Sequence, residues 1–133
     1  MNLTKRLATP SQAEAIDLFK TIPVPEGVTV LRGSYVKQFL KDNPGLTHIK
    51  IPEGVTHIGI FAFFGCSGLE RVAFPDSLTH IGDNAFYFCS GLERVSFPDS
   101  LTDIGHSAFK DCSGLKSVAF PDSLTHISNG TFS

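Results

Sequence analysis

Three cysteines, Cys66, Cys89 and Cys112, stand 23 residues apart. A thiolate can attack, bind metal or pair with a second thiol. Metal centres gather cysteines at tight spacings such as Cys-x-x-Cys, or beside histidines. Neither pattern occurs here, and three is an odd number for disulfides, so the spacing points to a buried, small, apolar position. His57, His80 and His126 share another position at the same spacing, with Asp103 in the gap. Stacked on neighbouring strands, this His-His-Asp-His stripe would hold imidazoles ~5 Å apart, within range of a shared ion or a pH response. Without a convergent third ligand it makes a poor metal site, and a free surface position that tolerates any polar residue is the favoured explanation, so no metal is expected. Asp76, Asp99 and Asp122, with Glu53, form an acid ladder at a turn; calcium needs more oxygen ligands at closer spacing. No Gly-x-Ser-x-Gly, phosphate loop, Cys–His pair or carboxylate pair lies outside the repeat register. Catalysis needs an asymmetric group of different residues, so no enzyme activity and no cofactor are expected.

The element behind these spacings is a repeat. Leu69–Gly82 recurs as Leu92–Gly105 and as Leu115–Ser128, with a looser copy at Leu46–Gly59. The units run 46–68, 69–91, 92–114 and an incomplete 115–133, and the second and third agree at 17 of 23 positions. The six differences sit where solvent is expected. A fixed period of this length marks a solenoid, in which each unit buries its apolar face against its neighbours. The expected fold is an α/β solenoid of short parallel strands and short helical turns.

Within a unit, Leu69, Val72 and Phe74 mark a first strand with Val72 and Phe74 on one face. Pro75-Asp76-Ser77 makes a turn, with Asp and Ser accepting local backbone hydrogen bonds. Leu78 and Ile81 mark a second strand ended by Gly82. Asp83 or Asn84 then caps a helical turn that points Ala85, Phe86 and Cys89 inward, and Gly91 stops it. Stacking predicts ladders: Phe63, Phe86, Phe109 and Phe132; Ile51, Phe74, Phe97 and Phe120; Leu46, Leu69, Leu92 and Leu115.

Residues 1–45 read as an N-terminal helical cap plus a degenerate first repeat. Thr9-Pro10-Ser11-Gln12 resembles a helix start, with Ile16 and Phe19 facing inward. Val24-Pro25-Glu26-Gly27 echoes Ile51-Pro52-Glu53-Gly54 at a distance of 27 residues, so the first unit carries four extra residues. Tyr35 to Lys41 reads as a longer helix, stopped by Asn43-Pro44-Gly45. At the other end Leu115, Val118, Phe120, Leu124, Ile127 and Phe132 would form an uncovered face. Two such ends stacked together would make a closed homodimer.

Comparing units isolates a second patch. Ile60, Phe61 and Phe64 stand where later units carry polar residues such as Asp83, Asn84, His106, Ser107 and Lys110; Tyr87 and Phe88 join them. An exposed apolar cluster of this kind marks an interface. The alternative is that Tyr35–Lys41, or a helix around Ile16 and Phe19, packs over it.

The formal net charge is -2, which supplies no bulk attraction to nucleic acid. No run approaches the ~20 apolar residues of a membrane span, so no membrane insertion is expected. No signal peptide is visible, which reads as cytoplasmic by default or exported by a signal-independent route.

The pattern Leu-x-x-Val-x-Phe-Pro-Asp-Ser-Leu-Thr-x-Ile-Gly-x-x-Ala-Phe-x-x-Cys-Ser-Gly resembles the BspA-like class of leucine-rich repeats, well over 46–133 and loosely over 22–45. The resemblance implies a curved, right-handed leucine-rich-repeat superhelix that binds macromolecules without catalysis. It also implies a cell-surface or secreted setting, among proteins that attach to host matrix or to other cells. In such repeats the concave sheet presents the residues between core positions. Here those are His48, Lys50, Arg71, Ala73, Arg94, Ser96, Ser117 and Ala119, a basic stripe fading to small residues. Glu70 and Glu93 lie beside it and could pair with the arginines. The expected function is a non-catalytic protein-interaction or adhesion module with a protein ligand; the alternative is a self-assembly module dimerising through its last repeat.

Overall fold

The computed structural model describes residues 18–133. Ten short strands and one α-helix lie among them. The strands are β1 (Lys20–Thr21), β2 (Val30–Leu31), β3 (His48–Lys50), β4 (His57–Ile58), β5 (Arg71–Ala73), β6 (His80–Ile81), β7 (Arg94–Ser96), β8 (Asp103–Ile104), β9 (Ser117–Ala119) and β10 (His126–Ile127); the helix, α1, spans Gly33–Asp42. Odd strands form one parallel sheet, β1-β3-β5-β7-β9, and even strands a second, β10-β8-β6-β4-β2. Each rung therefore contributes one strand to each sheet, and a turn region closes the third side.

Register carries the period into space. His48 pairs with Arg71, Arg71 with Arg94, and Arg94 with Ser117. Like residues thus lie over like. Phe63 stacks on Phe86 at 4.6 Å between ring centroids, Phe86 on Phe109 at 5.0 Å and Phe109 on Phe132 at 5.4 Å. The rings are nearly parallel, within 10°, because identical rotamers repeat along the axis. Phe74, Phe97 and Phe120 form the second aromatic ladder. Phe97 meets Phe109 edge to face, so the two ladders share one core.

The third side differs from the expected helical turn. Its N–H groups alternate between a local partner and the next rung. Ala62, Phe64 and Cys66 donate to Gly59, Phe61 and Phe63 three residues back; Phe61, Phe63 and Gly65 donate to Asp83, Ala85 and Tyr87. This is a string of β-turns. A helix would turn its N–H groups along its own axis and leave the third side unpaired between rungs. The path requires left-handed backbone at Asn84 (φ 56°) and Ser107 (φ 55°), so Asn84 serves the turn itself and caps no helix. Ala85, Phe86 and Cys89 are buried as expected, since a string of turns also points those positions inward.

Gly91 likewise has another role than stopping a helix. A Cβ there would overlap the carbonyl oxygen of Ser67 in the preceding rung. The residue is glycine because two backbones meet at that corner. Ser77 does not bond locally either: its hydroxyl donates to the Val55 carbonyl one rung away, at 2.7 Å.

The first rung is longer. Val30 pairs with His57, 27 residues on, and α1 takes up the four additional residues. Val36 and Phe39, three apart on one helix face, enter the core. Asn43 ends the helix by donating its side-chain amide to the Phe39 carbonyl at 2.9 Å. The helix start expected at Thr9-Pro10-Ser11-Gln12 and the inward role of Ile16 fall outside the described residues.

Candidate interaction site

The first sheet displays two outward rows. One runs His48, Arg71, Arg94, Ser117; the other runs Lys50, Ala73, Ser96, Ala119. His48 is not available to a ligand: it is 8% exposed, and Phe19 meets its ring edge-on at 5.0 Å. The cause is a chain segment beside β3 that the repeat pattern does not encode. Lys50, Arg94, Ser96 and Ser117 remain exposed, with Arg71 half-buried. The expected pairing of Glu70 and Glu93 with the arginines is not formed. Among the described residues the one His–carboxylate or cation–carboxylate contact within 4 Å is His80 with Asp103, so neither guanidinium group is held by a carboxylate.

The turn side carries the aromatic cluster. Phe61 meets Phe64 edge-on at 5.5 Å, Phe64 meets Tyr87 at 5.5 Å, and Tyr87 stacks flat on Phe88 at 4.6 Å. Ile60 is 64% exposed, and Phe61, Phe64 and Phe88 are 47–49% exposed. α1 does not cover them, because it turns Val36 and Phe39 into the core instead. Lys110 borders the cluster, its ammonium 5.9 Å from the Tyr87 ring centre.

Two of these phenylalanines are held in left-handed backbone, Phe61 at φ 57° and Phe88 at φ 65°. Other rungs fill the same positions with Asn84, Ser107 and Gly130, or with Gly65 and Asp111. Glycine, asparagine and aspartate tolerate that conformation; a bulky residue there is an outlier costing roughly 1–2 kcal/mol. The turn-forming types at the sister positions are a sequence signal for this strain. Backbone strain of this kind concentrates where a side chain serves something other than the fold.

The His-His-Asp-His stripe runs along the second sheet. His57 and His80 are stacked at 4.4 Å and 3°, and His80 Nε2 lies 3.5 Å from Asp103 Oδ1. A threonine precedes each stripe residue, as the repeat pattern requires. The Thr79 hydroxyl donates to the Thr56 carbonyl and sits 2.8 Å from His80 Nδ1. His80 thus has Nδ1 against the Thr79 hydroxyl and Nε2 toward the Asp103 carboxylate. Burial, and then the charge of His80, hold His57 below the usual imidazole value of 6.5. Parallel rings keep equivalent nitrogens too far apart to chelate one ion. Among the described residues no three His, Cys, Asp or Glu side chains converge as a metal site.

The cysteines are free thiols. Cys89 donates to the Phe63 carbonyl and Cys112 to the Phe86 carbonyl, both at 3.0 Å. The neighbouring Cys66 thiol and burial push Cys89 well up. Burial raises Cys112 to about 11. Neither is an activated nucleophile. Among the described residues no helix is long and apolar enough to cross a membrane.

The last rung is open. Phe120 is 48% exposed, Ile127 46% and Phe132 37%, whereas their counterparts Phe97, Ile104 and Phe109 are 7% exposed or less. Leu115, Val118 and Leu124 are half-buried beside them.

Comparison with known proteins agrees with this geometry. The model of the BspA type leucine rich repeat region matches residues 35–133 in six copies. Among solved structures, a T. pallidum leucine-rich repeat protein is 31% identical with a TM-score of 0.70, over 86% of this chain and 53% of that one. A leucine-rich repeat protein from Bacteroides ovatus is 26% identical with a TM-score of 0.58, over 81% and 33%. A leucine rich cell surface protein from Faecalibacterium prausnitzii is 29% identical with a TM-score of 0.51, over 82% and 37%. The chain thus spans about half or less of the length of these structures. A comparison with curated proteins returns no match. With the family model covering most of its length, this chain belongs to the BspA-type leucine-rich repeats.

Proposed function

We propose that this chain is a non-catalytic protein-interaction module of the adhesion type, whose principal contact surface is the aromatic cluster of Ile60, Phe61, Phe64, Tyr87 and Phe88. The exposed basic row of Lys50, Arg71 and Arg94 on the adjoining sheet is a second contact suited to an acidic partner. The single observation that carries the reading is the pair Phe61 and Phe88, strained in left-handed backbone and half open to water. About half of each ring's area stays uncovered, which forgoes roughly 2 kcal/mol of burial per residue within the fold. A partner that covers the cluster recovers that burial. The family supports an interaction role, and the F. prausnitzii neighbour, described as a cell surface protein, supports a surface setting for this one.

The test exchanges Phe61→Asn and Phe88→Asp together, the residue types that sister rungs carry at those positions. Relief of backbone strain and loss of partial burial nearly cancel, so stability should move by about 1 kcal/mol or less. Binding to immobilised extracellular-matrix and cell-surface proteins, read by surface plasmon resonance, should fall at least about tenfold. Unchanged binding, or stability lost by several kcal/mol, would show that the rings serve the fold.

A further inference from the structure

We propose that Cys66 and Cys89 form a dithiol that hydrogen peroxide oxidises, in which the half-buried Cys66 is the attacking sulfur and the buried Cys89 resolves it into a disulfide between neighbouring rungs. The two hold the same repeat position in consecutive rungs. A rung spacing of ~4.8 Å falls inside the Cα separation a disulfide accepts, about 4.4–6.8 Å. One carbonyl oxygen joins them: Phe63 accepts from the Cys66 N–H at 3.1 Å and from the Cys89 thiol at 3.0 Å. Cys112 is tied to the rung of Cys89 in the same way, through the Phe86 carbonyl. What separates the two pairs is the contact between thiols. Cys89 and Cys112 each turn back to a carbonyl of the preceding rung. Cys66 has no such acceptor among the described residues, because the third side of its preceding rung is α1, whose carbonyls bond along the helix. Its side-chain hydrogen-bond partner is the Cys89 thiol.

Access divides the roles. Cys66 is half-buried, whereas Cys89 is 0% exposed and Cys112 9%. Hydrogen bonding with the Cys89 thiol holds Cys66 below the ordinary thiol value, while Cys89 and Cys112 are raised. The thiolate is the nucleophile, so Cys66 reacts first. It attacks one oxygen of hydrogen peroxide. An S–O bond forms, the O–O bond breaks, and the departing hydroxide takes up the proton that Cys66 gave up. The Cys89 sulfur then attacks the Cys66 sulfur. The S–S bond forms, the S–O bond breaks, and hydroxyl leaves as water with the Cys89 proton. Two thiols lose two electrons and one peroxide gains them. Cys112 lies two rungs from Cys66, ~10 Å away, too far to resolve it. The bond ties rung 46–68 to rung 69–91, the two rungs that carry Phe61, Phe64, Tyr87 and Phe88. Oxidation thus fixes the spacing beneath the aromatic cluster.

The folded, reduced full chain, treated with a small excess of hydrogen peroxide, should lose two hydrogens by intact mass and regain them with dithiothreitol. Its circular-dichroism spectrum should not change. Trypsin cuts after Arg71 and Arg94, which puts the three cysteines on separate peptides, so the parent chain alone reveals the pairing: Cys66 joined to Cys89, with Cys112 free. Cys112→Ser should oxidise as the parent does. Cys89→Ser should stop at the Cys66 sulfenic acid, which dimedone traps. Cys66→Ser should react at least about tenfold more slowly. An unchanged mass, a Cys89–Cys112 bond, a bond between two chains, a spectrum lost on oxidation, or Cys66→Ser oxidising at the parent rate would each overturn the proposal.

Discussion

Truncating Phe86 to alanine removes the middle ring of the central ladder. Phe86 is fully buried, stacks on Phe63 and Phe109, and meets Phe74 edge-on at 5.9 Å. Its ~200 Å² at about 25 cal/mol/Å² corresponds to roughly 5 kcal/mol, reduced by the compactness of the unfolded chain and raised by the cavity left between two rungs. The expected loss is about 4–5 kcal/mol. Phe132→Ala is the internal control. That ring is 37% exposed and has one stacked neighbour, Phe109. Its outer side faces water, so no closed cavity remains and the loss should be about 2 kcal/mol. Urea unfolding measures both. The chain has no tryptophan, so far-UV circular dichroism is the readout. Phe86→Leu, at about 1–2 kcal/mol, keeps the measurement in range should the alanine variant fail to fold. Equal losses at positions 86 and 132, or a loss below about 2 kcal/mol at 86, would refute the stacked-rung reasoning.

Two further outcomes follow from particular contacts. Gly91→Ala drives a methyl group into the Ser67 carbonyl, whereas the same repeat position at Gly68 has nothing within 4 Å; thermal melts should show a loss of about 1–3 kcal/mol for Gly91→Ala and no loss for Gly68→Ala. His57 has its folded value below 6.5, so the unfolded chain takes up the proton first, and the stability associated with His57 is present above pH 6.5 and lost as pH falls from there through the folded value. NMR titration should place the His57 midpoint below 6.5 and move it part of the way back in His80→Gln; an unmoved midpoint would remove His80 as a cause.

Spacing along the chain was enough to read the rungs, because every unit repeats the same inward residues at the same offsets. Leu69, Val72, Phe74, Leu78, Ile81 and Phe86 could be placed in the core from period alone, and the helix near Tyr35–Lys41 from its own periodicity and its Asn43-Pro44-Gly45 stop. The aromatic cluster was visible as a break in the repeat, since Phe61 and Phe64 stand where sister units are polar. Its exposure was not, because that depends on where α1 turns its apolar face.

What sequence by itself determined is the solenoid and the assignment of faces, since these rest on local periodicity repeated without interruption. Tertiary structure decided the rest through contacts between rungs. Ala85, Phe86 and Cys89 suit a helical turn or a string of β-turns equally; cross-rung hydrogen bonds, which need alternate N–H groups aligned with the stack, select the second. His48 occupies an outward register on the first sheet and is nonetheless covered by Phe19. Gly68 and Gly91 share one repeat position, but only Gly91 has a carbonyl of the preceding rung against it. In each case the deciding neighbour lies on another rung or another segment, where no sequence-local pattern records it.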